Sequence, residues 1–75
     1  MSRKDFLANT DELNRSAWAA LMDRYGDETV IRAWNAAETA EQGYKPGTHG
    51  DTISNARADA FNSVINDPGF DYRYF

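Results

Sequence analysis

A chain of 75 residues holds one small domain at most, because it can bury only about 60% of the surface that the unfolded chain exposes. It contains no cysteine, which excludes a disulfide framework, a thiolate metal cluster and a cysteine nucleophile. The net charge of −4 argues against a general nucleic-acid binder, and no apolar run approaches the length of a membrane span. We therefore expect a cytoplasmic protein with no membrane contact and no direct nucleic-acid partner.

The first helix is predicted at about residues 10–25. Asn9 can accept from the backbone N–H groups of the first turn, and Glu12 can reach back as in a capping box. Gly26 can end the helix in the left-handed conformation. The apolar residues of this segment recur at spacings of three and four, the pattern of one buried stripe: Leu13, Ala17, Trp18, Leu21, Met22 and Tyr25.

Two further helices are predicted at about residues 28–42 and 52–66, with Asp27 and Asp51 as their caps. The remaining residues, 67–75, form a tail in which residues 70–75 alternate between apolar and charged types, apart from the final pair, and this alternation is typical of a strand. Since no second strand is predicted, we expect this segment to lie extended across the helices. The whole chain, residues 1–75, is thus predicted to be a single all-α domain of three helices with an extended aromatic C-terminal tail.

The sequence offers little for catalysis. His49 could act as a general base if Asp51 or Thr48 oriented its ring, but a solvated loop histidine beside a capping Asp51 explains the same residues. One histidine without cysteine cannot supply the four ligands of a zinc site, and no serine lies in a nucleophile elbow. We therefore predict no enzyme activity, no metal and no cofactor.

Two helices joined at Gly26 also raise the alternative of a helix-turn-helix DNA-binding regulator. Aligning Gly26 with the turn of that motif places Asp27, Arg32 and Asn35 where apolar packing residues are expected. The second helix is moreover rich in carboxylates, which phosphates repel.

Glu38 and Glu41 are two carboxylates whose negative charge the surrounding helix does not stabilise. They lie near the C-terminus of the second helix, where the helix dipole disfavours negative charge. Either an internal cation such as Arg57 or Lys45 pairs with them, or they bind a basic partner; internal pairing is the simpler of the two hypotheses.

The C-terminal tail raises the same question, whether its side chains make contacts within the chain or bind a partner. Tyrosine and arginine are among the residue types most often found at binding hot spots, and the segment Tyr72, Arg73, Tyr74 and Phe75 is dense in them. Phe70 and Tyr72 are expected to cover a thin core, whereas Tyr74 and Phe75 are expected to be partly exposed. If the tail instead pairs with its copy in another molecule, the protein is a self-associating structural module.

In size, acidity and lack of catalytic residues, the chain is similar in type to small proteins of phages and other mobile elements. Many of those bind and block a host factor such as a nuclease or a CRISPR complex. No motif carries this similarity, so it assigns no role to any residue. The leading hypothesis is stoichiometric binding of a larger protein, possibly a nucleic-acid-binding one, by a monomer or homodimer through Glu38, Glu41 and tail residues Tyr72–Phe75.

Overall fold

The computed structural model describes residues 1–74, apart from the side chain of Tyr74. It contains four α-helices: α1 (Arg3–Ala8), α2 (Arg15–Tyr25), α3 (Asp27–Gln42) and α4 (Gly50–Ile65). Two short 3₁₀ turns, Glu12–Asn14 and Tyr72–Tyr74, precede α2 and follow α4. The prediction of a small all-α domain is confirmed, with one additional short helix at the N-terminus.

The additional helix α1 changes the roles of the residues near position 10. Ser2 begins α1 by accepting from the backbone N–H of Asp5 at 3.2 Å, and Asn9, predicted to begin a helix, ends this one. Asp11 caps the following 3₁₀ turn instead, accepting from the N–H of Leu13 at 3.1 Å. The single helix predicted at 10–25 is therefore a 3₁₀ turn followed by α2.

The prediction that Leu13 belongs to the buried stripe of this helix is wrong: Leu13 is 91% exposed. A 3₁₀ turn advances about 120° per residue rather than about 100°, so it rotates Leu13 away from the face that α2 buries. Ala17, predicted on the same stripe, is also exposed, so that part of the prediction is wrong as well, whereas Trp18, Leu21 and Met22 are buried as predicted.

Gly26 joins α2 directly to α3. Its N–H donates to the carbonyl of Met22 at 2.8 Å, and its carbonyl accepts from the N–H of Val30 at 3.2 Å. It satisfies both helix ends with φ 93° and ψ 145°, a conformation essentially confined to glycine. The positive φ agrees with the predicted left-handed end of the helix, but ψ lies outside the left-handed region. Asp27, predicted to cap the next helix, is instead its first residue.

The core lies where α3 and α4 pack against each other and α2 covers them. Val30, Ala33, Ala37, Ala58 and Phe61 are fully buried. Because alanine has little bulk, its presence on both helices lets their backbones approach closely.

An aromatic cluster forms the other half of the core. Phe6, from α1, contacts Trp18 and Trp34 edge-on with ring centroids 5.4 Å and 6.0 Å away. Trp18 and Trp34 meet each other at 5.4 Å, also edge-on. Such pairs each contribute about 0.5–1.5 kcal/mol beyond their buried area, which is how a chain this short closes its interior.

His49, rather than Asp51, caps α4. Its Nδ1 accepts from the backbone N–H of Asp51 at 3.2 Å. Asn66 ends α4 in the left-handed conformation with φ 53°, and the chain then turns back at Asp67, Pro68 and Gly69. The tail lies across the helices as predicted, but its end is a 3₁₀ turn rather than an extended segment.

Candidate functional site

Glu38 and Glu41 are paired internally, as the simpler of the two hypotheses predicts. Arg57 of α4 reaches across to α3, where its Nη2 lies 3.1 Å from Glu38 Oε1 and its Nη1 lies 2.8 Å from Glu41 Oε2. Lys45, the other candidate cation, forms no ion pair with any residue that the structure describes. The arrangement sets two carboxylates against one guanidinium and so keeps one net negative charge.

The three side chains differ in exposure. Arg57 is only 14% exposed, whereas Glu38 and Glu41 are 42% and 46% exposed. Each carboxylate uses one oxygen on Arg57, so its other oxygen can accept from an incoming donor. We call these two carboxylates, held by Arg57, the acidic rim.

Arg57 is fixed from several sides. Its guanidinium carbon lies 4.9 Å from the centroid of the Trp34 ring, a cation–π contact. Burial lowers the pKa of Arg57, but hydrogen bonds to Glu38 and Tyr72 outweigh this effect and raise it. The guanidinium therefore remains a cation at neutral pH.

A groove of about 550 Å³ opens beside the acidic rim. Trp18 and Trp34 contribute aromatic surface, and Arg57 and Ser54 contribute the α4 side. The polar segment between α1 and α2 also lines it. The complete lining is Asn9, Thr10, Asp11, Asn14, Trp18, Trp34, Ser54, Arg57, Tyr72 and Arg73.

The tail residues divide between the core and the groove. Phe70 and Tyr72 are half-buried against the core, as predicted, and the Tyr72 ring stacks on Phe61 with centroids 4.6 Å apart. Arg73 is exposed, and its Nη2 lies 2.8 Å from Asp71 Oδ2. The Tyr74 side chain and Phe75, both predicted to bind a partner, lie outside the described residues.

The backbone of the tail is engaged within the chain. The N–H of Tyr72 donates to Asn62 Oδ1 at 3.0 Å, and the N–H of Arg73 donates to Asp71 Oδ1 at 3.0 Å. These donors would have to be released before a strand could pair there. Among the described tail residues, two of the backbone donors that self-pairing could use are therefore already engaged.

Among the described residues, the other side chains considered for catalysis or metal binding do not come together in a second site. The exposed imidazole of His49 is used as a helix cap, and its Nδ1 lies 3.8 Å from Asp51 Oδ2. Within residues 1–74, no three His, Asp or Glu side chains form a cluster able to hold a metal ion. None of the described helices is long and apolar enough to cross a membrane.

Sequence reasoning identifies the acidic rim but misses the groove beside it. The groove depends on where the segment from Asn9 to Asn14 comes to lie relative to Trp34, and no local pattern encodes that placement. Comparison of the chain with protein-family models, curated proteins and solved structures finds no match.

Proposed function

We propose that the protein acts by stoichiometric binding of a larger protein, and that the groove and the acidic rim form the contact surface. The observation that carries this proposal is the acidic rim itself, in which a largely covered Arg57 holds two half-exposed carboxylates beside an aromatic groove. Ordering side chains at an interface costs about 0.5–1.5 kcal/mol each, and carboxylates already held in place avoid much of that cost.

The groove supplies the residue types that dominate binding energy. Tryptophan, tyrosine and arginine are the side chains most often found at hot spots, and all three line it. A volume of about 550 Å³ accommodates a few side chains of a partner rather than a whole domain.

The partner that fits this surface carries basic residues around an apolar anchor. A nucleic-acid-binding protein has such residues in its phosphate-binding groove, which the acidic rim would occupy. More specifically, we propose that the protein inhibits a host factor such as a nuclease or a CRISPR complex. Complementary charge of this kind mainly raises the association rate and weakens with salt.

A charge-neutral variant of the acidic rim tests the proposal. Glu38→Gln together with Glu41→Gln keeps acceptors for Arg57 while removing both charges, whereas lysine would repel the Arg57 guanidinium. For a partner captured from host lysate and then purified, we expect about 2- to 30-fold weaker binding and a shallower salt dependence, at about 0.2–1 kcal/mol per rim charge. Glu28→Gln, at the other end of α3, should leave affinity unchanged.

Filling the groove gives a second, independent test. Ser54→Trp places a large ring in the groove, while Asn55→Trp places the same ring on the neighbouring exposed position outside its lining. We expect the first variant to lose binding and the second to keep it, with equal helicity by circular dichroism. Equal affinity of the two variants would remove the groove from the binding surface.

A DNA-binding regulator remains the second candidate, because one exposed strip of α3 carries residue types that read bases. The strip comprises Glu28, Arg32, Asn35, Thr39 and Gln42. Retention on heparin at moderate salt that is lost in Arg32→Ala would support this candidate, and elution in the flow-through would reject it.

A further inference from the structure

Asp11 lines the groove with a carboxylate that forms no ion pair with any residue that the structure describes. Its Oδ1 accepts one hydrogen bond, from the backbone N–H of Leu13 at 3.1 Å, and the residue is exposed. Arg15, the cation nearest to it along the chain, is not part of the lining and donates instead to the carbonyls of Leu7 and Thr10 at 2.9 Å and 3.4 Å. Because an ionised carboxylate has about four acceptor positions, Asp11 keeps most of its acceptor capacity for a donor that enters the groove.

The two cations in the lining are neutralised within the chain. Arg57 holds both carboxylates of the acidic rim, which leaves one negative charge there. Arg73 lies against Asp71, with its Nη2 2.8 Å from Oδ2 and its Nε 3.1 Å from Oδ1, which leaves none. Together with Asp11, the groove and its edge therefore carry two uncompensated negative charges, and they attract a cation rather than an anion.

Aromatic surface gives the groove a preference among cations. Trp34 and Tyr72 are half-buried and line the same groove as Asp11. A guanidinium can donate two parallel N–H bonds to one carboxylate and can lie flat against an aromatic ring, whereas an ammonium is a compact and strongly hydrated charge. The methylene stem of an arginine also covers apolar surface. The volume of about 550 Å³ has room for this side chain and the short stretch of backbone that carries it.

We propose that the groove binds an arginine side chain of the partner protein, and that Asp11 is the residue that selects it. This inference rests on the proposed function, since it concerns the same groove, and it adds the residue type that enters. The acidic rim at the edge of the groove then attracts the basic residues that flank this arginine. The contact involves one side chain and its own backbone, so a single capped amino acid serves as a probe.

Three capped amino acids test the chemistry of the groove. N-acetyl-arginine N-methylamide carries the guanidinium, the corresponding citrulline derivative keeps its shape without the charge, and the glutamate derivative reverses the charge. Titrated at low salt against the isotope-labelled full chain, the arginine probe should shift the backbone amide resonances of residues 9–14 with a dissociation constant on the order of 10⁻³ M. The citrulline probe should bind about 3- to 10-fold more weakly, and the glutamate probe more weakly still.

Two variants test the role of Asp11. Asp11→Asn removes the charge but keeps an oxygen for the N–H of Leu13, because asparagine caps helix ends as well as aspartate does. Glu12→Gln makes the same charge change at the adjacent exposed residue, which is not part of the lining. We expect Asp11→Asn to bind the arginine probe about 3- to 10-fold more weakly, and Glu12→Gln to bind it as the unmodified chain does. Circular dichroism of both variants checks that the fold is retained, and the comparison of the arginine and citrulline probes needs no variant.

Equal affinity for the arginine and citrulline probes, equal affinity of Asp11→Asn and Glu12→Gln for the arginine probe, or tighter binding of the glutamate probe would overturn the proposal. If the arginine probe does not bind while a captured partner still loses affinity with Ser54→Trp, the proposed function stands and arginine is rejected as the anchor. If the partner is indifferent to Ser54→Trp, the groove is not its contact surface, and the proposed function fails together with this inference.

Discussion

Replacing Arg57 by alanine removes the cation that holds the acidic rim, and we expect it to destabilise the domain by about 3 kcal/mol. The side chain is 14% exposed, so truncation takes two buried methylenes out of the core at about 0.8 kcal/mol each. The contact with Trp34 adds about 0.5–1 kcal/mol. The two ion pairs add about 0.2–1 kcal/mol each, because both carboxylates are half-exposed and regain water.

A loss of this size is large for a domain whose total stability is about 4–11 kcal/mol. Urea unfolding followed by circular dichroism at 222 nm measures it, and an unchanged m-value shows that only stability has changed. The melting temperature should fall by about 12–24 °C.

Two further variants locate the cause of this loss. Arg57→Met keeps an apolar stem and should recover about half of the loss, since the part due to packing is restored. Arg32→Ala, at an exposed position on α3, should change the free energy of unfolding by less than about 0.5 kcal/mol. If Arg57→Ala costs no more than Arg32→Ala, Arg57 does not hold the rim and the reasoning fails.

Two other predictions concern the backbone and acid stability. Gly26→Ala should lower the free energy of unfolding in urea by about 1–3 kcal/mol. Backbone strain is the only cause, because an added Cβ meets nothing within 4 Å. Gly50→Ala, equally unobstructed but without a positive φ, should be neutral or slightly stabilising, and equal losses in the two variants would contradict the strain argument. The hydrogen bond from Tyr25 lowers the pKa of Asp67, and bonds from Arg73 lower the pKa of Asp71. The stabilisation that the Asp67 and Asp71 carboxylates provide is therefore complete above the pKa of an aspartate in the unfolded chain, which is about 4. It is lost as pH falls from there towards the lower pKa values of the folded state. The urea midpoint should drop between pH 5 and 2.5, and it should drop less in Asp67→Asn with Asp71→Asn; identical slopes would exclude both carboxylates.

The sequence predicts those parts of the fold that depend on neighbouring residues. The break between α2 and α3 is predictable because it depends on Gly26 alone. Arg57 is predictable as the cation that pairs with Glu38 and Glu41 because the sequence contains few other cations that could reach them. Helix α1 escapes prediction because six residues with one buried side chain, Phe6, carry no periodic pattern. A helix this short is held by tertiary packing, here against Trp18 and Trp34, rather than by its own propensity.

Leu13 and His49 show where local signals mislead. Leu13 fits the spacing of an α-helical stripe, but Asp11 caps a 3₁₀ turn that contains Leu13. The larger rotation per residue in that turn points the Leu13 side chain away from the buried face of α2. Asp51 is the better cap by residue type, yet α4 begins two residues earlier than predicted and the imidazole of His49 accepts the hydrogen bond instead. In both cases a shift of one or two residues in a boundary reassigns a side chain's role, and only the packed structure fixes that boundary.

The contact between Arg57 and Trp34 also gives the molecule an optical reporter. The emission of an indole responds to nearby charge, and the Trp34 ring lies 4.9 Å from a guanidinium whose counterions are Glu38 and Glu41. A ligand that pairs with these carboxylates in place of Arg57 leaves the guanidinium charge beside the Trp34 ring less neutralised. The emission wavelength of Trp34 should then shift. Occupancy of the rim can thus be followed in the unlabelled protein, with Trp18→Phe removing the signal of the other, buried indole.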